Sequence, residues 1–362
     1  MKKFVVLLFM LVLASCTYNE YLPVSEDQSV LSTNTEETVP IKEYLPTPTA
    51  ARNTIEPAFT PTPVPTATNT PKPYDASRNK ILAIMEAYGY TDAYYVSDAY
   101  WELLYDRIDS YGPAERITTL EYHGNNYNMY DGAYSMNPET FYSQIEYLMK
   151  NDYHFVTIHE LRGFLEGWLD LPLRSIILTT DSGYSSQKSI PSMISQFAEL
   201  EVMYGYKPHM QSYIWTKFMT PEETIECKDD SCWETFRFAR DSGYFTIGTH
   251  SQSHDDFSVM GRELTKDDLT TSIDKIYENL GIKVYAITWP FEACTPYVDL
   301  MSDIGIKIGF GGYSKPILDA YVYKSDLQYM CLPRLFPPHG GGVSARPNGK
   351  TLEQMLYDQI NH

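Results

Sequence analysis

The chain has 362 residues, which is enough for one large domain or two small ones. Its formal net charge of −19 argues against a nucleic-acid partner, because nothing would offset repulsion from the phosphates. The same charge makes the chain a poor match for an anionic polymer, whereas a neutral glycan stays compatible with it.

The first residues predict an export signal. Lys2 and Lys3 give a positive start, and the apolar run 4–13 that follows is too short to span a bilayer well. Small residues then precede Cys16, and the ending Leu-Ala-Ser-Cys resembles the lipobox of bacterial lipoproteins. This resemblance implies that residues 1–15 are removed and that a lipid on Cys16 anchors the protein to the outer face of a bacterial membrane. An ordinary signal peptide, which would give a secreted protein, is the alternative.

Residues 16–76 are predicted to form a disordered tether. Nine of the 23 prolines fall between Pro40 and Pro73, where they are interleaved with threonine. Such a stretch buries too little apolar surface to fold, and its prolines favour an extended, semi-rigid spacer. We expect this spacer to hold an enzyme away from the membrane so that it can reach a cell-wall polymer.

Five cysteines are present, and Cys16 leaves four for the folded part: Cys227, Cys232, Cys294 and Cys331. In an exported protein these four can form two disulfides, in any of three pairings that the sequence does not distinguish. Cys227 and Cys232 have no second pair at metal-finger spacing, so a zinc ribbon is not expected. We expect a monomer.

The folded part begins with residues 77–116, which are predicted to be a tyrosine-rich helical preface. From residue 117 onward, strands and amphipathic helices alternate, and this alternation predicts a parallel sheet. We predict an α/β fold, a shortened (β/α) barrel, in which chemistry takes place at the carboxyl ends of the strands. The predicted strands cover residues 117–122, 154–158, 174–180, 209–215, 244–249, 283–288 and 306–310.

Helix signals lie between these strands. Pro138 suits an early helical position in residues 137–151. Thr220 and Glu223 have the spacing of a capping box and predict a helix that opens there. Gly281 is the predicted C-cap of a helix in residues 264–281.

Polar residues follow several predicted strands, at the end where a barrel would place its chemistry. Asp181 follows the strand at 174–180, and His250 and His254 follow the strand at 244–249. A His-x3-His pair on one face of a helical turn can reach one metal ion. Such a metal lowers the pKa of bound water and polarises a carbonyl, and a nearby carboxylate can take the water's proton. Together these residues predict hydrolysis of an amide or an ester.

Several segments resemble, in order, the polysaccharide deacetylases of carbohydrate esterase family four, which include chitin deacetylases and nodulation deacetylases. They are "EYHG", "NPETFYSQIEYLMKNDYHFVTIHEL", "LPLRSIILTTDSGYSS", "GTHSQSHDDF" and "ITWPFEACTP". The resemblance runs over residues 117–335, and we assign 117–362 to this domain. It implies removal of acetyl groups from N-acetylglucosamine units of a cell-wall or extracellular polysaccharide, with a divalent metal, expected to be zinc.

The resemblance also implies roles for individual residues. Asp181 matches the family's catalytic base, and His250 and His254 match its metal ligands. Phe291 stands where the family places a backbone N–H that holds the oxyanion, a donor typically worth about 3–4 kcal/mol in the barrier. His339 is the nearest candidate for the general acid, although an exposed loop histidine would fit the same glycine-rich context.

The chain departs from the family at Ser182, where the family has an aspartate that ligates the metal. A hydroxyl is a poor substitute for an anionic oxygen on zinc. The alternative function is therefore a weak or inactive deacetylase-like domain that binds glycan. We expect the remaining histidines, His123 beneath the site among them, to be structural.

Overall fold

The computed structural model of the protein describes residues 71–125, 135–311, 321–325, 329–338 and 351–361. The predicted signal peptide, Cys16 and most of the predicted tether lie outside these residues, as does His339. Within the described ranges, no helix combines the length and the apolar character needed to cross a bilayer.

In the part of the chain described from residue 71 onward, two helices precede the sheet, α1 (Asp75–Tyr88) and α2 (Asp98–Tyr111). The Ser97 side chain caps α2 by accepting a hydrogen bond from the backbone N–H of Tyr100. Between the helices, the hydroxyl of Tyr90 donates to the carbonyl of Ile247 and accepts from its N–H, at 3.1 and 3.0 Å. These two bonds tie the helices to the sheet, and the predicted N-terminal helical extension is confirmed.

A mixed sheet of eight strands, counted over the described residues, forms the centre of the domain. Its strands are β1 (Arg116–Tyr122), β4 (His154–Phe155), β5 (Ser175–Ser182), β6 (Met210–Ile214), β7 (Phe245–Thr249), β8 (Ala286–Thr288), β9 (Ile308–Phe310) and β10 (Tyr321–Tyr323). The strand order is β10-β1-β5-β6-β7-β8-β9, with β4 also paired to β5. Every pairing is parallel except that of β10 with β1. A small separate pair joins β2 (Gly124–Asn125) to β3 (Ser135–Met136).

Helices follow the strands and surround this half-barrel. They are α3 (Pro138–Lys150), α4 (Ile158–Leu165), α5 (Ser189–Tyr204), α6 (Ser231–Ser242), α7 (Arg262–Leu280), α8 (Val298–Asp303) and α9 (Leu352–Asn361). Helix α7 ends as predicted at Gly281, whose φ of 69° is the left-handed conformation that glycine adopts without strain. The central strand β5 is buried on both faces, which is typical of parallel sheets covered by helices. The predicted shortened (β/α) barrel is confirmed.

Two local predictions are wrong. The strand predicted at 154–158 stops at Phe155, because Thr157 and Glu160 form a capping box that starts α4. The helix predicted to open at Thr220 does not form, and the next helix begins only at Ser231. The carboxylate of Glu223 instead accepts from the N–H of Met219 and bonds Lys275 of α7 at 2.7 Å.

The segment 329–338 connects the two ends of the parallel sheet. Leu332 pairs with Phe310 of β9, and Leu335 pairs with Leu120 of β1. A disulfide joins Cys331 in this segment to Cys294, and the second disulfide joins Cys227 to Cys232. These pairings resolve the three alternatives that the sequence left open. The segment thereby bridges β9 and β1 through parallel pairings.

Candidate active site

A cavity of about 570 Å3 opens at the carboxyl ends of the parallel strands. Four of the predicted site residues, Asp181, His250, His254 and Phe291, line it together. The fifth, His339, lies outside the described residues. The other side chains around the cavity belong to Glu121, His123, Trp289, Glu292, Arg334 and Phe336.

Asp181 lies at the end of β5, and the guanidinium of Arg334 binds it through two hydrogen bonds. Nη1 donates to Oδ1 at 2.8 Å and Nη2 donates to Oδ2 at 2.9 Å. Burial alone would raise the pKa of Asp181, but Arg334 and then His250 outweigh it and hold the pKa well below its usual range. Asp181 is therefore a carboxylate at neutral pH, as a general base must be.

Arg334 also binds two further carboxylates. It forms an ion pair with Glu121 at 2.9 Å and donates a hydrogen bond to Glu292 at 2.6 Å, and its side chain is 1% exposed. Burial raises the pKa of Glu121 well above its usual range, Arg334 opposes this, and Glu292 and Asp181 add to it. Three buried carboxylates thus share one guanidinium. The remaining negative charge must be offset by a proton or by another cation.

Sequence reasoning missed Arg334, Glu121 and Glu292. No local spacing points to Arg334, which lies 153 residues after Asp181. One signal was available: the proline motif around Trp289 carries no arginine, although a buried aspartate at a strand end needs a cationic partner. A search for an arginine elsewhere in the chain would have followed from that requirement.

His250 is oriented by Thr288 of β8. Its Nδ1 lies 2.8 Å from the Thr288 carbonyl oxygen, which can only accept, and 2.7 Å from the Thr288 hydroxyl, which can accept as well, so both contacts are satisfied when Nδ1 carries the hydrogen. Burial lowers the pKa of His250 to about 4, and the ring is neutral at pH 7. The lone pair on Nε2 then points to the side of Asp181, whose Oδ2 is 3.8 Å away. This is the tautomer with which histidine ligates metals while its other nitrogen is held by a carbonyl.

His254 lies next to His250, although not in the way the sequence predicted. The two rings have centroids 4.8 Å apart. Residues 250–254 form no helical turn, because Ser251 and His254 adopt left-handed backbone conformations, with φ of 71° and 61°. The predicted convergence of the two imidazoles is therefore seen, but the helical turn that was expected to produce it is wrong.

Phe291 and Glu292 form a tight turn after Pro290. Both are non-glycine residues with positive φ, 57° and 59°. Such conformations cost about 1–3 kcal/mol each and cluster at functional sites. The turn aims the Glu292 carboxylate at Arg334 and leaves the Phe291 side chain 69% exposed at the cavity.

His123 differs from its prediction as a structural residue beneath the site. It lines the cavity, and its Nε2 lies 3.7 Å from both Glu121 Oε1 and Asp181 Oδ2. Burial lowers the pKa of His123 to about 4, so its ring is neutral at pH 7. Among the described residues, Glu121, His123 and Asp181 are the group whose ligand atoms lie close enough to one another to hold a metal ion.

The chemistry of these donors fits a divalent metal, but two positions compete for it. Arg334 already binds oxygens of both Glu121 and Asp181, so a cation in the Glu121–His123–Asp181 group would face a guanidinium. His250 is bonded at Nδ1 to Thr288 and has its Nε2 lone pair available. The second position is where the rings of His250 and His254 meet.

Ser182 does not line the cavity. It is buried, and its Oγ accepts a hydrogen bond from Ser212 Oγ of the neighbouring strand β6, at 3.0 Å. The side chain is thus engaged within the sheet. The Ser182 hydroxyl therefore faces β6 rather than the cavity.

The fold is a shortened (β/α) barrel, and its strand ends carry a cavity lined by carboxylates and histidines. Residues 170–309 match the family model described as polysaccharide deacetylase, and this stretch contains Asp181, His250, His254 and Phe291. This stretch of the chain is therefore similar to polysaccharide deacetylases, which are hydrolases acting on amide bonds.

Solved structures show the same fold. BA0330 from Bacillus anthracis, which is described as a polysaccharide deacetylase, is 18% identical to this chain with a TM-score of 0.53. The alignment covers 68% of this chain and 69% of BA0330. The polysaccharide deacetylase BC0361 from Bacillus cereus is 17% identical with a TM-score of 0.52, covering 68% and 70%. The Streptococcus pyogenes deacetylase PplD is 15% identical with a TM-score of 0.50, covering 67% and 98%. No curated protein matches the chain.

Proposed function

We propose that the protein is a metal-dependent deacetylase of N-acetylglucosamine units in a cell-wall or extracellular polysaccharide. The observation that carries this proposal is the convergence of Asp181, His250, His254 and Phe291 on one cavity at the strand ends. The match of residues 170–309 to the polysaccharide deacetylase family supports the reaction class.

In this proposal, Asp181 is the general base. Arg334 binds both of its oxygens, which keeps it ionised and fixes its orientation, so that it can take a proton from the attacking water. The backbone N–H of Phe291 stabilises the oxyanion that forms when water adds to the acetyl carbonyl. His339 stays our prediction for the acid that gives a proton to the departing sugar amine.

His250 and His254 would hold the metal, which we expect to be zinc. When bound, such an ion polarises the acetyl carbonyl and lowers the pKa of a bound water. The contribution of this chain's own residues is orientation, since Thr288 fixes the tautomer of His250.

A second candidate function is a glycan-binding domain with little or no activity. Ser182 favours it, because the hydroxyl is bonded to Ser212 and supplies no anionic oxygen to a metal. We further propose that the mature chain is exported and anchored by a lipid on Cys16, with secretion as the alternative.

Acetate release tests the proposal. Purified protein is incubated with chitooligosaccharides, and separately with peptidoglycan, with and without added zinc. We expect acetate from at least one substrate and a dependence on metal. If metal binds and no acetylated glycan yields acetate, the glycan-binding function is favoured.

A further inference from the structure

Each of the five backbone N–H groups of residues 250–254 donates a hydrogen bond, although this segment is neither a helix nor a strand. His250 donates to the Ile214 carbonyl at 2.8 Å, and Ser251 donates to Thr249 Oγ1 at 3.0 Å. His254 donates to Ser251 Oγ at 2.9 Å. The two N–H groups in the middle, of Gln252 and Ser253, have a partner from a distant helix.

That partner is Asp268, in the second turn of α7. Its Oδ1 accepts from Gln252 at 2.9 Å and its Oδ2 accepts from Ser253 at 2.8 Å. Both bonds are charge-assisted, which makes them stronger than bonds to a neutral acceptor. Asp268 does not line the cavity, so it has no direct contact with a substrate there.

We propose that Asp268 is a positioning residue, which holds the loop 250–254 in the conformation that brings the His250 and His254 rings together. The inference rests on the proposed function only in taking those two histidines to be metal ligands. It adds a residue outside the cavity, from another element of the fold, to the machinery of the site.

The backbone conformation of the loop explains why an external partner is needed. Ser251 and His254 flank the two N–H groups and both have positive φ, which costs free energy for residues other than glycine. Without Asp268, two adjacent N–H groups would lose their acceptor at a partly buried position, and an unmade bond there is costly. The loop would relax, and His254 would move relative to His250, which the Ile214 carbonyl of β6 and Thr288 hold independently.

The test uses Asp268→Ala, the milder Asp268→Asn, and Asp267→Ala as matched control in the full-length protein. Asp267 is the exposed neighbour on the same helix. Zinc binding is measured by calorimetry, and the imidazole signals of His250 and His254 are followed by 1H–15N NMR without metal. We expect Asp268→Ala to weaken zinc binding about 10-fold or more, as for other residues that orient metal ligands, and to shift the His254 signals. Asp268→Asn, whose carbonyl still accepts one N–H, should give an intermediate change, and Asp267→Ala none.

The two measurements separate this inference from the proposed function. If the wild type takes no zinc, the metal part of the proposed function fails, while the NMR signals still show whether Asp268 orients the histidines. Wild-type signals and affinity in Asp268→Ala would overturn the inference. If Asp268→Ala does not fold, Asp268→Asn decides by the same criteria.

Discussion

Replacing Arg334 by methionine tests whether the buried cation organises the site. Arg334 binds Asp181, Glu121 and Glu292 at 2.6–2.9 Å, with its side chain 1% exposed. Methionine fills much of the same space but leaves three buried carboxylates without a cation. Breaking a buried ion pair in this way costs about 3–5 kcal/mol. For a domain of this size that corresponds to a fall of roughly 6–20 °C in Tm.

Differential scanning calorimetry of Arg334→Met and Arg262→Met measures the effect. Arg262 forms an equally close, two-bond pair with Asp299, at 2.9 and 2.8 Å, but on the surface. Surface pairs contribute little, so we expect no clear change in its Tm. Adding Glu121→Gln to Arg334→Met should recover part of the loss, because one of the three charges is removed. An Arg334→Met protein that melts within about 2 °C of the wild type would refute the reasoning, since roughly 6 °C is the least expected.

Four further outcomes follow from the sequence and the structure. Ser182→Asp should leave zinc affinity unchanged by calorimetry, because position 182 faces β6 rather than the cavity, and a rise in affinity would contradict that placement. Burial lowers the pKa of His159 to about 3, so the unfolded state protonates first as the pH falls below 6.5. Between pH 7 and 5 this difference lowers the free energy of unfolding by about 2 kcal/mol. In urea titrations at both pH values, the free energy of unfolding of His159→Gln should therefore fall by about 2 kcal/mol less than that of the wild type. Replacing Cys294 and Cys331 by serine should cost about 4 kcal/mol, since their bridge closes a loop of 37 residues, and equal stability in urea would contradict this. Cys16→Ser should release the protein from membrane fractions, and a variant that still sediments with membranes would contradict lipid anchoring.

The barrel could be predicted because its evidence is local. Alternation of buried strands with amphipathic helices is visible within short windows, and the carboxyl end of each strand then identifies the site. This reasoning predicts that Asp181, His250 and His254 lie at one rim, and all three line the same cavity. The ends of the strands depend on competing local signals, as in residues 154–158, where the Thr157–Glu160 capping box starts a helix.

The parts that failed depend on contacts between distant residues. The Thr220–Glu223 spacing predicted a helix, but the Glu223 carboxylate accepts a hydrogen bond from Lys275, 52 residues away. The His-x3-His spacing predicted a helical turn, but Asp268 stabilises a different loop. Such competition is set by tertiary packing, and propensity alone does not reveal it.

Acetate release by the wild type and by Asp181→Asn tests the central claim most directly. Asparagine preserves the shape of the side chain but cannot act as a base, and Arg334 keeps Glu121 and Glu292 as partners. With zinc added, and chitooligosaccharides and peptidoglycan as substrates, the wild type should release acetate and the variant none, while the fold survives as judged by Tm. Acetate release by the variant at the wild-type rate would contradict the role of Asp181, and no release by the metal-bound wild type would contradict the deacetylase function itself.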